Sequence, residues 1–422
     1  MKLLYDAALV PLRGASYLYG IWPRRTPEAA LERDQRLGRR LPPVPAGSLW
    51  IHGASVGEAR IVGALAREAR RLRPGMPVVA STVTRTGRAM LPGPPALDAS
   101  FFLPLDFRGV QRAAFAAIRP GGVVLVETEI WPNLLAEAAA RGVPACLVNA
   151  RLAPERLSRY RLLASLYGPA LSHLAAVGAA SAAEAERFAA LGVPESRIIV
   201  TGNVKFDLPA PSVSEAALRS RFALAPGRTV VVAGSTAAGE DALVLRAFME
   251  LRSARPGLFL VLAPRHPERV PAALERAAAL SLSTHRLSAG DDAAAGAADV
   301  LVVDTLGELS GLYALAAASF VGGSLVPVGG HNLLEPVAAG SPVLFGPHVS
   351  HVAETAVALV AAGAGEQVAD AEALAGALER LLADPEERAR RVGAGRAWLG
   401  SHRGALSRST DLILRVIDGG VR

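Results

Sequence analysis

The chain is poor in cysteine and in aromatic residues. Of its 422 residues one is cysteine, and Phe, Trp and Tyr together make 5%. A single cysteine excludes a disulfide within the chain and a thiolate metal cluster. That residue, Cys146, lies in the apolar run Val-Pro-Ala-Cys-Leu-Val and reads as a small buried hydrophobe. Long structureless tracts are not indicated either. No zinc-finger spacing and no interleaving of aromatic with basic residues is visible, which argues against nucleic acid as a partner. The apolar start, residues 1–22, is interrupted by Asp6, Pro11 and Arg13, too broken for a bilayer span. It also lacks a small-residue cleavage signature.

What is present is alanine-inflated apolar content, 51%, and a formal charge of +7 dominated by arginine. Such a surface suits anionic lipid or a phosphorylated substrate. Within residues 1–40 there are eight Lys/Arg against four Asp/Glu, and Tyr17, Tyr19 and Trp22 precede Arg24-Arg25. This pattern reads as a segment lying at a membrane interface rather than crossing it; a first helix packed on the domain is the plainer alternative.

A chain of this length exceeds one hydrophobic core, so two domains of roughly 200 residues are expected. Strand-like runs at 49–52, 77–81, 101–105, 122–126, 143–148, 174–177 and 198–200 alternate with helical patterns, including one over 156–171. The second half repeats the design, with strands at 229–233, 258–263, 300–303, 319–321 and 342–345. Alternation of this kind predicts parallel sheets covered on both faces. The expected division is an interfacial segment over 1–40, a first domain over 41–207, a linker over 208–225 and a second domain over 226–422. The last helix of the second domain is placed to pack back on the first.

Candidate chemistry gathers where strands end. After the strand at 319–321 comes Gly322-Gly323-Ser324, then Gly329-Gly330-His331-Asn332 and a short helical pattern from Leu333. A permissive loop with free backbone N–H groups at a helix start attracts phosphate or carboxylate. The run is neither a dinucleotide fingerprint nor a Walker A loop. Asn332 would cap the helix even with no ligand, and Glu335 shares a face with it and suits the two hydroxyls of a ribose. Gly234-Ser235-Thr236 is a second glycine–hydroxyl loop. Arg265 and His266 close another strand, and Gly307 lets a ligand approach the backbone beyond a third. His348 and His351 alone are weak evidence for a metal.

In the first half, Gly53-Ala54-Ser55-Val56-Gly57 leads into Glu58. The Gly-x-Ser-x-Gly spacing suggests a nucleophile elbow at Ser55, but the chain splits into two halves instead of continuing one hydrolase sheet. The alternative is that Gly53 and Gly57 admit a substrate close to the backbone while Glu58 serves as a base. The plainest reading of Glu58 is a helix-start carboxylate. Glu127 and Glu129, two apart on an extended segment, would share one acidic face. Arg151 and Lys205 are placed to meet an anionic substrate from either side of a cleft.

Several of these pieces together resemble one family. They are His52 to Glu58, Glu127-Thr128-Glu129-Ile130-Trp131-Pro132-Asn133, Asn149-Ala150-Arg151-Leu152, Gly202 to Asp207, Ala263 to Arg269, Asp304 to Leu309, and Gly322-Gly323-Ser324 through Gly330-His331-Asn332-Leu333-Leu334-Glu335-Pro336. In this order, over most of the chain, they are similar to the 3-deoxy-D-manno-octulosonic acid (Kdo) transferases of lipopolysaccharide synthesis. The resemblance implies two facing doubly wound parallel-sheet domains of the GT-B glycosyltransferase type. It implies CMP-Kdo as donor, a lipid A precursor as acceptor, inversion, and no metal or other cofactor. By resemblance Glu58 is the base and Glu129 shapes the active site. Ser55, Gly57, Arg151 and Lys205 would meet acceptor or sugar. Ser235, Arg265, His266, Gly307, Gly330, Asn332 and Glu335 would hold the nucleotide. The expected location is the cytoplasmic face of the inner membrane, against an anionic lipid surface. A nucleotide-sugar epimerase and a non-catalytic lipid-binding protein are the competing classes.

Overall fold

The computed structural model describes residues 26–208 and 213–420. The chain folds as two compact units. The first holds the chain through Leu208 together with the segment from His402, and the second spans Pro209–Ser401.

The first unit contains β1 (Leu49–His52), β2 (Val78–Thr82), β3 (Ala99–Phe102), β4 (Gly122–Val126), β5 (Ala145–Ala150), β6 (Ala176–Ala179) and β7 (Ile198–Val200). All pair in parallel, in the order β3-β2-β1-β4-β5-β6-β7. β1, β2, β4, β5 and β6 are buried along their whole lengths, as continuous Val, Ile, Leu and Ala runs require when helices cover both faces. The chain steps outward from β1 to β3 and then returns to β4 on the other side of β1, so a topological switch point lies between β1 and β4.

The second unit holds β8 (Val230–Thr236), β9 (Phe259–Pro264), β10 (Thr284–Arg286), β11 (Val300–Val302), β12 (Ala318–Val321), β13 (Val343–Phe345) and β14 (Gly365–Gln367). Their order is β10-β11-β9-β8-β12-β13-β14, again parallel, with the switch point between β8 and β12. In open α/β sheets, ligands bind outside the carboxyl ends of the strands at such points. The fold is of the GT-B type, two doubly wound parallel-sheet units.

Four features differ from the sequence expectations. Residues 208–225 are not all linker: helix Glu215–Arg221 belongs to the second unit, where Leu218 and Phe222 are buried with Val230 and Leu312. The second unit ends at Ser401 rather than running to 422: the C-terminal helix Ala405–Ile417 does pack on the first unit as expected, but it belongs to that unit outright. Its Leu412, Ile413 and Val416 pack with Ile61, Val62 and Leu65. The helix expected over 156–171 is two helices, Pro154–Leu162 and Ala164–Ser172, bent at Leu163. The short edge strands β10 and β14 carry no apolar run that marks them.

Of the expected interfacial segment, residues 1–25 lie outside the described residues. Helix Pro27–Arg36 begins at Thr26, whose hydroxyl accepts from the Ala29 N–H. It packs on the β3 edge, where Gln35 accepts from the Phe102 N–H at 3.0 Å. Among the described residues no helix is long and apolar enough to cross a membrane.

The C-terminal helix yields a test. Leu412→Ala should destabilise the first unit by about 2–5 kcal/mol in denaturant unfolding, because the emptied volume is fully enclosed. A loss below about 0.5 kcal/mol would be surface behaviour and would contradict this packing.

Candidate active site

In the first unit the site is built after β1 and β4. Ser55 is the N-cap of helix Val56–Leu72, and its hydroxyl accepts from the Glu58 N–H at 3.4 Å. The side chain of Glu58 folds back over this turn. One carboxylate oxygen accepts from the Ala54 N–H at 2.7 Å and the other from the Ser55 hydroxyl at 2.7 Å. The turn is thus a variant of a capping box, and Ser55 is a partner of Glu58 rather than part of a hydrolase triad. Gly53 is required here, since a side chain on it would strike Glu58 Cβ and Val62. Gly57 is exposed beside the carboxylate.

Glu58 is 9% exposed. Burial pushes its carboxyl above the ordinary range. The charges of Glu127 and Glu129 push the same way, against the hydrogen bonds from Ala54 and Ser55. Each carboxylate oxygen keeps a second lone pair beyond the bond it accepts. The group is therefore fixed in place, biased towards taking a proton, and still able to accept one.

Glu127 and Glu129 do not share one extended face. The chain turns at Glu127, whose φ is +62°, and the two carboxylates find separate partners. Glu127 pairs with the Lys205 ammonium at 2.7 Å. Glu129 lies 3.2 Å from His52 Nε2 and accepts from Trp131 Nε1 at 2.9 Å on the same oxygen. His52 is fully buried. Its Nδ1 lies 2.9 Å from the Ser81 hydroxyl, which accepts from Trp50 Nε1 at 2.8 Å. With the Trp50 N–H donating to Ser81, the Ser81 hydroxyl can donate to His52 Nδ1, and the Nε2–H can donate to Glu129. Sequence reasoning left His52 out of the site, although it opens the His-Gly-Ala-Ser motif.

Arg151 and Lys205 both lie in the first unit, so they do not approach from two sides. The Arg151 carbonyl accepts from Thr128 Oγ1 at 2.7 Å, tying the loop after β5 to the acidic loop. Asn149 accepts from the Val204 N–H at 2.9 Å. This bond fixes the turn that presents Lys205.

In the second unit the glycine run follows β12, beside the loop after β8. Its first N–H groups are not free. Glu240, fully buried at the start of helix Glu240–Ala254, accepts from the N–H groups of Gly323 (2.6 Å), Ser324 (2.9 Å), Leu325 (2.8 Å) and Ala237 (2.7 Å). The protein's own carboxylate therefore fills the anion-attracting backbone expected for a ligand. Gly322 permits this, because a Cβ there would sit 2.5 Å from Thr236 Cα and 2.7 Å from Glu240. Ser235 has a φ of +55° at the end of β8 and presents its carbonyl to the same glycine.

The rest of the run is folded tightly as well. The Gly330 N–H donates to the Gly323 carbonyl at 2.6 Å. The His331 ring packs on the Gly323 backbone and the His351 ring on that of Gly329. Burial first, then the charge of Arg265, lowers the His331 pKa to about 4, with His351 and His266 adding to the effect and Glu240 opposing it. His331 is thereby held towards the neutral imidazole. Arg265 and His266 are exposed at the end of β9, whereas Arg269 of the same motif pairs with buried Asp241. Asn332 is exposed; its side-chain oxygen accepts from the Leu334 N–H at 3.1 Å and its amide donates to Glu335 at 3.3 Å. The N-cap of helix Leu334–Ala339 is Leu333, without a side-chain cap, so the expected capping by Asn332 is replaced by a local turn. Gly307 is exposed with φ +89° and open space around it. Among the described residues no group of three or more His, Cys, Asp or Glu side chains is arranged to hold a metal ion.

The Glu240 arrangement is testable. Glu240→Ala would orphan all four N–H donors, at about 1–3 kcal/mol for each that water cannot reach. Hydrogen exchange at residues 323–325 should accelerate strongly, with the second unit destabilised. Unchanged protection of those amides would contradict the assignment.

The family model described as 3-deoxy-D-manno-octulosonic-acid transferase (kdotransferase) matches residues 31–208. The 3-deoxy-D-manno-octulosonic acid transferase of Bordetella pertussis is 37% identical over 423 residues, covering 95% of this chain and 97% of that protein. The protein of the same description from Haemophilus influenzae is 34% identical, covering 90% of each. A glycosyltransferase structure from Rickettsia africae superposes with a TM-score of 0.61 at 12% identity, over 89% of this chain and 99% of that one. UDP-GlcNAc 2-epimerase from Neisseria meningitidis gives 0.60 at 13%, over 88% and 99%. These two likenesses show the fold alone. With the relatives spanning nearly its whole length and the family's motifs at its strand ends, the chain belongs to the 3-deoxy-D-manno-octulosonic acid transferase family of glycosyltransferases.

Proposed function

We propose that the protein transfers Kdo from CMP-Kdo to a hydroxyl of a lipid A precursor, with inversion at the anomeric carbon and Glu58 as the general base. The observation that carries this reading is the state of Glu58. It is buried, held by one backbone and one side-chain hydrogen bond, and shifted upward by burial and by two neighbouring carboxylates. In the proposed step the acceptor oxygen attacks the anomeric carbon from the face opposite CMP. Its proton passes to Glu58, the new C–O bond forms, and the bond to the phosphate oxygen breaks with its electron pair leaving on CMP. Glu129, oriented by His52 and Trp131, is placed to fix substrate hydroxyls beside the base.

The second unit is read as the donor half. Arg265 and His266 would face the phosphate, where a guanidinium fork stabilises charge developing on the leaving group. Ser235, Gly307 and Gly330 would line the approach to the backbone, with Asn332 and Glu335 taking phosphate and ribose. The leaving phosphate is already acidic, so the step needs a base for the acceptor more than an acid for the donor. Among acceptor-side residues, Arg151 would meet an anionic group, while Lys205 acts through its pair with Glu127. Ser55 and Gly57 would border the entering hydroxyl. Peripheral attachment to an anionic membrane face through the basic N-terminal region is part of the proposal. It draws on Arg40 at the described end of that region and on Arg85, which reaches over from the helix after β2 to pair with Glu32; their side chains are 65% and 72% accessible.

Glu58→Gln tests the base. CMP release from CMP-Kdo in the presence of a tetraacylated lipid A precursor should fall at least about 100-fold, with loss of the Kdo mass added to the lipid. Stability should move the other way. A carboxyl whose folded pKa is raised costs stability as pH rises through the unfolded value, and the full cost is present above the folded one. At neutral pH the Gln variant should therefore melt at the same temperature as wild type or higher. Full lipid-dependent turnover by the variant would overturn the assignment.

A further inference from the structure

One hollow in the first unit lies outside the residues considered so far. It is lined by Arg156, Tyr160, Leu163 and Tyr167, with a volume of about 200 Å³. That is below the roughly 300–1,000 Å³ of pockets for drug-sized ligands, so it suits one ring rather than a disaccharide.

The bend at Leu163 creates it. In an unbroken helix, residues seven apart are separated by about 10.5 Å along the axis. Because the chain breaks between helices Pro154–Leu162 and Ala164–Ser172, the rings of Tyr160 and Tyr167 come to 4.6 Å between centroids at 46°. Both rings are half-buried and pack on the same apolar cluster as Ile130 and Trp131, the residues flanking Glu129 on its C-terminal side. Tyr160 lies within electrostatic reach of Glu129 and of Arg156.

Its polar groups are unspent. Among the described residues neither phenol oxygen has a hydrogen-bond partner, and the exposed Arg156 guanidinium has no ion pair. In a chain where arginine after arginine is paired with a carboxylate or carbonyl, this combination marks a place prepared for something else. Stacked tyrosine faces receive the C–H face of a pyranose, their hydroxyls meet its hydroxyls, and a guanidinium meets an anionic substituent. Leu162, 82% exposed at the end of the same helix, gives the hollow an apolar neighbour.

We propose that this hollow is a subsite for one sugar ring of the acceptor glycolipid, stacked on Tyr160 and Tyr167 with an anionic substituent on Arg156. The inference rests on the transferase reading above and adds where the acceptor head group is held.

The test is steady-state kinetics with CMP-Kdo and a tetraacylated lipid A precursor, each varied in turn, for Tyr160→Ala, Tyr160→Phe and Arg156→Ala. The expected result is a rise of about tenfold in acceptor KM for Tyr160→Ala and Arg156→Ala, with no matching rise in donor KM. Tyr160→Phe, which keeps the stacking face, should recover most of the loss. Arg156 is exposed, so its variant separates binding from folding if Tyr160→Ala loses structure. An unchanged acceptor KM in Arg156→Ala together with Tyr160→Phe as impaired as Tyr160→Ala would overturn the subsite. Failure of the wild type to transfer Kdo to the lipid would instead sink the parent reading, a result visible before any variant is made.

Discussion

The cost of burying a carboxylate governs both halves of this protein. In each unit the first strand of a parallel sheet runs into a helix whose opening turn carries a buried glutamate, Glu58 after β1 and Glu240 after β8. A buried carboxylate persists only with compensating donors. Glu240 has four backbone N–H donors and is fully enclosed. It acts as a fastener that sets the shape of the glycine-rich loop. Glu58 has one backbone donor and one hydroxyl, and two other carboxylates nearby. Compensation there is incomplete, and the shortfall appears as an appetite for a proton. Position in the fold is shared; the count and charge of neighbours decide which glutamate is fully compensated and which is left biased towards a proton.

Topology supplies those neighbours. Because the chain reverses direction across each sheet, the loop after β4 comes to lie beside that after β1, and the loop after β12 beside that after β8. The acidic loop can therefore bias Glu58, and the glycine run can wrap Glu240. The remaining motifs follow the same rule: Arg265 and His266 end β9, Gly307 follows β11, and Arg151 follows β5.

Local signals were legible in the sequence. The apolar runs Leu49–His52 and Gly122–Val126 predict strands with the observed bounds, since unbroken apolar runs flanked by turn residues leave little freedom. Glu58 stood out because a glycine-flanked turn before a helix is a local pattern. What stayed hidden depends on residues distant in sequence. Nothing near Glu240 announces that it will meet amides more than eighty positions away. Arg265 and Arg269 look alike in the motif, and only buried Asp241 shows that Arg269 is structural. His52 reads as the last residue of a strand until Glu129 arrives from β4. The turn at Glu127 carries no local signal because a positive φ is uncommon outside glycine, and the break at Leu163 carries none because no proline or glycine stands there.

As the proposed base, Glu58 owes its readiness to burial and to the charges around it. The most direct measurement is the pH profile of kcat/KM for Kdo transfer in wild type and in Glu127→Gln. That variant removes a negative charge beside Glu58 and releases Lys205 from its pair. Both changes favour the ionised base, so the acidic limb of the profile should move to lower pH. An acidic limb that stays in place, or moves to higher pH, would contradict the account.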